Sequence, residues 1–147
     1  MLDTYSQEQK SKLAKLMPNW KPFFCEYQYS DASAHYLLVT LPSEGDPSIN
    51  LYLYTADEEI TVSFGMWEWH YPNPDEPEGC ELEAALSGIE RIRSEHDLVA
   101  SYWDGEKWLG STIVSSNESL GFSSFVKEAS FVKVLSWSGR LNREVVL

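Results

Sequence analysis

The chain has 147 residues, 14% of them aromatic with six tryptophans, and a formal charge of −12 at pH 7. That length suits one domain, 1–147, whose core removes roughly two thirds of the unfolded surface. No run of about 18 apolar residues exists to cross a membrane as a helix, and the net charge opposes binding to nucleic acid or to anionic lipid.

The N-terminal MLDTYSQEQK lacks the basic and apolar regions of a signal peptide, so the expected location is the cytoplasm, with Cys25 and Cys80 as reduced thiols. Ser6 with Gln9 three residues on has the pattern of a capping box, and Leu13, Leu16 and Met17 make a short apolar stripe before Pro18. A short N-terminal helix from about Gln7 to Met17 is predicted. Four β-rich runs follow, FFCEYQYS, HYLLVTL, INLYLYT and EITVSFGMW, separated by polar or Pro/Gly-bearing turns, as in an antiparallel meander.

The last run continues to Tyr71 as EITVSFGMWEWHY, and its phase has two readings. In a regular strand Ile60, Val62, Phe64, Met66, Glu68 and His70 share one face, leaving Trp67, Trp69 and Tyr71 opposite. A bulge at Gly65 would instead send Trp67 and Trp69 inward and turn Glu68 and His70 outward. The segment YPNPDEPEG has three prolines and reads as an exposed loop carrying Asp75, Glu76 and Glu78. Leu82, Ala85, Leu86, Ile89 and Ile92 then recur at helical spacing, predicting an amphipathic helix from about Cys80 to His96 with one face on the sheet.

In DLVASYWDGEKWLGSTIVSS, Asp104-Gly105 between β-rich runs is a strong hairpin signal. A two-residue turn there sets Trp103 against Glu106 and Ser101 against Trp108, with one of the two tryptophans expected to be mostly buried between sheet and helix. SSNESLGFSS reads as a loop with room for one helical turn, SFVKVLSW as a strand and REVVL as a short terminal one. The fold class expected is α+β: a mostly antiparallel sheet of six or seven strands packed by one amphipathic helix.

Candidate chemistry is sparse. Glu68 and His70, two apart on a strand, point the same way and are the one pair placed for acid/base work. An alternative reading is therefore a small-ligand binding protein or enzyme with a pocket around Glu68 and His70, walled by aromatics of the Trp103 hairpin. Cys25, His35, His70, Cys80 and His96 show none of the paired spacings of metal ligands, and no phosphate loop or nucleophile elbow is present. No metal, cofactor or catalytic residue is expected.

Charge is unevenly spread. The segments 1–22 and 107–147 are each +2, while 23–106 holds eighteen acidic residues against Arg91 and Arg93, a net −16. Such a field speeds encounter with a basic protein, and tryptophan and tyrosine are the usual anchors of an interface. The expected partner-binding set is Trp67, Glu68, Trp69, His70, Tyr71, Asp75, Glu76 and Glu78. In VSFGMWEWHY, the acidic loop, the amphipathic helix and LVASYWDGEKWLGSTIV, from about Leu51 to Val114, the chain resembles small bacterial immunity proteins of polymorphic-toxin systems. The resemblance implies an acidic, cytoplasmic α+β protein without enzyme activity. Its partner would be a cognate toxin domain, often a nuclease, which it binds and blocks.

Overall fold

The computed structural model describes residues 1–30, 33–117 and 127–147; the helical turn allowed for in SSNESLGFSS falls mostly outside them. In chain order it contains α1 (Thr4–Leu16), β1 (Phe24–Gln28), β2 (His35–Pro42), β3 (Asn50–Tyr54), β4 (Ile60–Phe64), β5 (Trp67–Tyr71), α2 (Glu81–Arg93), β6 (Asp97–Asp104), β7 (Lys107–Ser115), β8 (Phe131–Leu135) and β9 (Arg143–Val146). The class is α+β. Its described strands form two sheets, one in the order β1-β2-β3-β4-β5 and one in the order β7-β6-β8-β9, nine strands where six or seven were expected. The chain divides into two compact units, one of Met1–Leu41, Leu51–Ser63 and Glu68–Ser87, the other of Pro42–Asn50, Phe64–Trp67 and Gly88–Leu147.

The five-stranded sheet is the expected meander. Period-two alternation buries Leu37, Val39 and Leu41 on β2, Leu51 and Leu53 on β3, and Ile60 and Val62 on β4. Each such side chain contributes about 1.5–3 kcal/mol relative to an exposed position. Tyr36, Leu38 and Thr40, and likewise Tyr52 and Tyr54, occupy the other phase and are only half-buried. The run EITVSFGMWEWHY is two strands, not one. Gly65 and Met66 form a tight turn between β4 and β5, with Gly65 at φ +60° in the first central position, where a glycine-first hairpin turn needs it.

Helix α1 begins earlier than predicted. Its cap is Asp3, whose carboxylate accepts the Ser6 amide at 2.7 Å, while Ser6 itself is buried and lies 2.6 Å from the Thr55 hydroxyl. Thr55 Oγ1 also accepts the amide of Leu37 at 3.0 Å, so a buried polar node ties the helix to the sheet. Helix α2 buries Leu82, Ala85, Ile89 and Ile92, and ends where Glu95 adopts a left-handed φ of +59°. The Glu95 carboxylate accepts the Ser138 amide at 2.6 Å, and hydrogen bonding from the Ser138 side chain first, with that amide adding to it, holds its carboxyl below the usual carboxylate range.

In the four-stranded sheet Leu98, Ala100, Tyr102, Val114, Val132 and Val134 form the core cluster. The β6–β7 hairpin exists as predicted but its turn is displaced by one residue: Asp104 pairs with Lys107 and Trp103 directly with Trp108. The central pair is Gly105-Glu106, again glycine first, with Gly105 at φ +58°. A register shift next to Trp103 then sets Tyr102 against Gly110. Buried Trp137, which sequence analysis did not single out, lies 5.7 Å from the Phe64 ring with the Arg93 guanidinium 5.5 Å from its centroid. Beside it the Gly45 amide donates to the Trp137 carbonyl at 3.3 Å.

Two glycine substitutions separate close approach from backbone strain. A Cβ at Gly45 would overlap the main chain of Ser138 and Gly139, which cannot rotate away. One at Gly105 meets nothing within 4 Å and costs only its positive φ. In denaturant unfolding, Gly45→Ala is expected to lose about 3 kcal/mol and Gly105→Ala about 1 kcal/mol.

Candidate functional site

The turn at Gly65 settles the phase of β5. Because β4 folds back onto β5, Trp67, Trp69 and Tyr71 share the face of the aliphatic residues, and Glu68 and His70 share the face of Thr61 and Ser63. That is the arrangement anticipated for a bulge, reached through a turn. His70 Nδ1 lies 2.9 Å from Thr61 Oγ1 and 2.7 Å from Glu59 Oε1, and its Nε2 lies 3.4 Å from Glu68 Oε1. The imidazole is thus held between two carboxylates, all three side chains between 39% and 57% exposed, where an ion pair contributes at most about 1 kcal/mol.

Alongside them the sheet face is lined by tyrosines. Tyr27 pairs in register with Tyr36, their ring centroids 6.1 Å apart, and Tyr36 also meets Tyr29 at 5.1 Å edge-on and Tyr54 at 6.3 Å. Each aromatic pair adds about 0.5–1.5 kcal/mol and fixes the ring orientations. Burial raises the Tyr54 phenol above its ordinary value; a hydrogen bond with Thr61 opposes this, and the nearby Glu68 and Glu59 add to it. Tyr29 closes one end, donating to Asp3 Oδ2 at 3.2 Å and accepting the Asp57 amide at 2.8 Å. The result is one continuous face, Tyr27 to His70, in which half-buried rings adjoin Glu59 and Glu68.

The predicted partner-binding residues divide accordingly. Glu68 and His70 belong to this face. Trp67 and Trp69 are on the other side of β5, Trp67 half-buried and Trp69 45% exposed at the sheet edge. Tyr71 is only 7% exposed and offers a partner almost no surface; as the innermost residue of its face it belongs to the core. Burial, with Glu76 as a lesser contributor, raises its phenol pKa, which sets Glu76 near the Tyr71 end of the strand. Asp75 and Glu78 are exposed in the same loop, and the half-buried Glu76 lies 3.4 Å from the Asn73 amide as its acceptor. Of the two hairpin tryptophans, Trp103 is the more buried. Trp103 is half-buried and stacked on Phe131, while Trp108 is 45% exposed, because the displaced turn sets them opposite each other on β6 and β7.

The tyrosines of this face lie outside the predicted set. Their signal is the period-two spacing of Tyr27 with Tyr29 and of Tyr52 with Tyr54, with Leu51 and Leu53 in the opposite phase. Among the described residues no three His, Cys, Asp or Glu side chains gather as a metal site, and no helix is long and apolar enough to cross a membrane. Cys25 and Cys80 are unpaired and exposed. Compared with family models, with curated proteins and with solved structures, the chain finds no match.

The two faces of β5 make distinct mutational forecasts. Tyr71→Ala empties a core position and is expected to cost about 3–5 kcal/mol in denaturant unfolding, whereas Trp69→Ala at the solvent edge is expected to cost about 1 kcal/mol or less.

Proposed function

We propose that this chain is an immunity protein that binds and neutralises a cognate toxin domain, and that the open face of the five-stranded sheet is the surface it uses. The observation carrying the proposal is the meeting of exposed Tyr27 and half-buried Tyr36 and Tyr54 with Glu59 and Glu68 on one face of the sheet. All five strands of that sheet lie within the segment of net charge −16.

Two properties of the face support a basic protein partner, such as a nuclease domain with a cationic cleft for phosphates. Carboxylates on a rim act at long range and raise the rate of encounter, and tyrosine rings held by one another lose little rotamer freedom on docking. Charge then governs arrival and the rings govern residence. The same negative field disfavours nucleic acid or an anionic membrane as the partner. Trp69 and the Asp75–Glu78 loop would serve the edge of the contact. Glu68 and His70 do not line the cleft to which Trp103 contributes, so the alternative pocket is not favoured by their placement.

Co-expression with the product of the adjacent upstream gene, expected to carry a toxin domain, tests the proposal. Growth is expected to be restored and a 1:1 complex isolated. In that complex Glu59→Gln with Glu68→Gln slows association roughly tenfold and flattens its dependence on salt, while Tyr36→Ala or Tyr54→Ala speeds dissociation roughly tenfold or more. Unprotected growth, or kinetics indifferent to all four changes, contradicts it.

A further inference from the structure

The second unit contains a cleft of ≈ 490 Å³ that the proposed function does not use. Its floor follows from strand register. Val99, Ser101 and Trp103 on β6 pair with Leu135, Lys133 and Phe131 on β8, and Glu144 on β9 pairs with Lys133, so all seven share one face of the four-stranded sheet. The Gly65-Met66 turn and Ile49 form the opposite wall. A Cβ built on Gly65 would come within 2.7 Å of Leu135 Cδ2, so the turn rests directly against the floor.

The lining is apolar apart from a few polar groups, of which Ser101 is already committed: its hydroxyl accepts from Trp103 Nε1 at 2.9 Å and donates to the Lys133 carbonyl at 3.4 Å. Lys133 is different. Its Nζ stands 4.9 Å from the Trp103 centroid and 5.7 Å from that of Phe131, and its one ion-pair contact among the described residues, to Glu144 Oε1, is long at 4.0 Å. Ring faces attract a cation without accepting its hydrogen bonds in full, and both ion-pair partners are about half or more exposed. An ammonium so placed keeps donors to offer at the mouth of an apolar cleft of ordinary ligand size.

We propose that this cleft binds a small organic anion with a flat apolar body, the anionic end on Lys133 and the body against Val99, Leu135 and Met66. The net positive charge of segment 107–147, in a chain otherwise strongly acidic, favours the same sign of ligand. This proposal does not depend on the immunity reading.

Fluorescence titration of the full chain with 1-anilinonaphthalene-8-sulfonate tests it, with the uncharged N-phenyl-1-naphthylamine as companion probe. The sulfonate is expected to bind one per chain with a Kd on the order of tens of micromolar. Lys133→Met, which keeps the apolar stem, should weaken the sulfonate roughly tenfold and leave the uncharged probe unchanged, as loss of one charge-assisted hydrogen bond requires. Met66→Glu, at an exposed turn, should weaken both probes, and Glu144→Gln should tighten the sulfonate. Unchanged unfolding midpoints confirm that the variants are folded. Absence of saturable one-to-one binding, or a sulfonate affinity indifferent to Lys133→Met and Met66→Glu, overturns the proposal.

Discussion

A side chain on a strand faces one side of its sheet or the other, and in the five-stranded sheet the aliphatic residues of β2, β3 and β4 all take the same side. Slipping β2 or β3 by one residue would expose Leu37 or Leu51 and bury tyrosines in their place, and slipping β4 would expose Ile60 in exchange for Ser63. Burial therefore locks the register, and the tyrosine phase is left outward. The constraint passes to β5 through the turn at Gly65: with that turn two residues long, Trp67 and Tyr71 must continue the aliphatic face, and Glu68 and His70 must join the tyrosines. The proposed binding surface is in this sense a by-product of core formation. The residues that stabilise the fold are the ones that aim the proposed recognition face.

The two kinds of group on that face act over different distances. Glu59 and Glu68, paired with His70 in half-solvated positions, add little to stability; in the proposed function they act through the potential they project. The tyrosines are half-buried in one another and present rigid edges. Neither group alone makes a specific site: isolated carboxylates steer without discriminating, and uncharged rings discriminate only after contact. In the four-stranded sheet the sign is reversed, with an ammonium set over aromatic rings at the mouth of an apolar cleft.

Much of the architecture was legible in the sequence because it rests on periodicity. The meander, the amphipathic helix expected from about Cys80 to His96 and the β6–β7 hairpin each carry a pattern several residues long. What failed was local choice between near-equivalent signals. Asp3 and Ser6 are both good caps, and Asp3 takes the role because Ser6 is needed by Thr55. Asp104-Gly105 and Gly105-Glu106 both place glycine in the turn, and the second wins by setting Gly105 first. Gly65-Met66 resembles none of the strong turn dipeptides, so one long strand was read where two exist. The proposed face was half visible: the carboxylate and histidine stood out, but the larger Trp67 and Trp69 beside the acidic loop carry a stronger signal than the tyrosines.

Hydroxyl-radical footprinting of the free chain, read residue by residue by mass spectrometry, tests the openness of the tyrosine face most directly. The expected result is ready oxidation at Tyr27, Tyr36 and Tyr54, with Tyr71 and Tyr102 protected. Protection of Tyr36 and Tyr54 to the same degree as Tyr102 would mean that the face is covered in solution, and would contradict the account at its base.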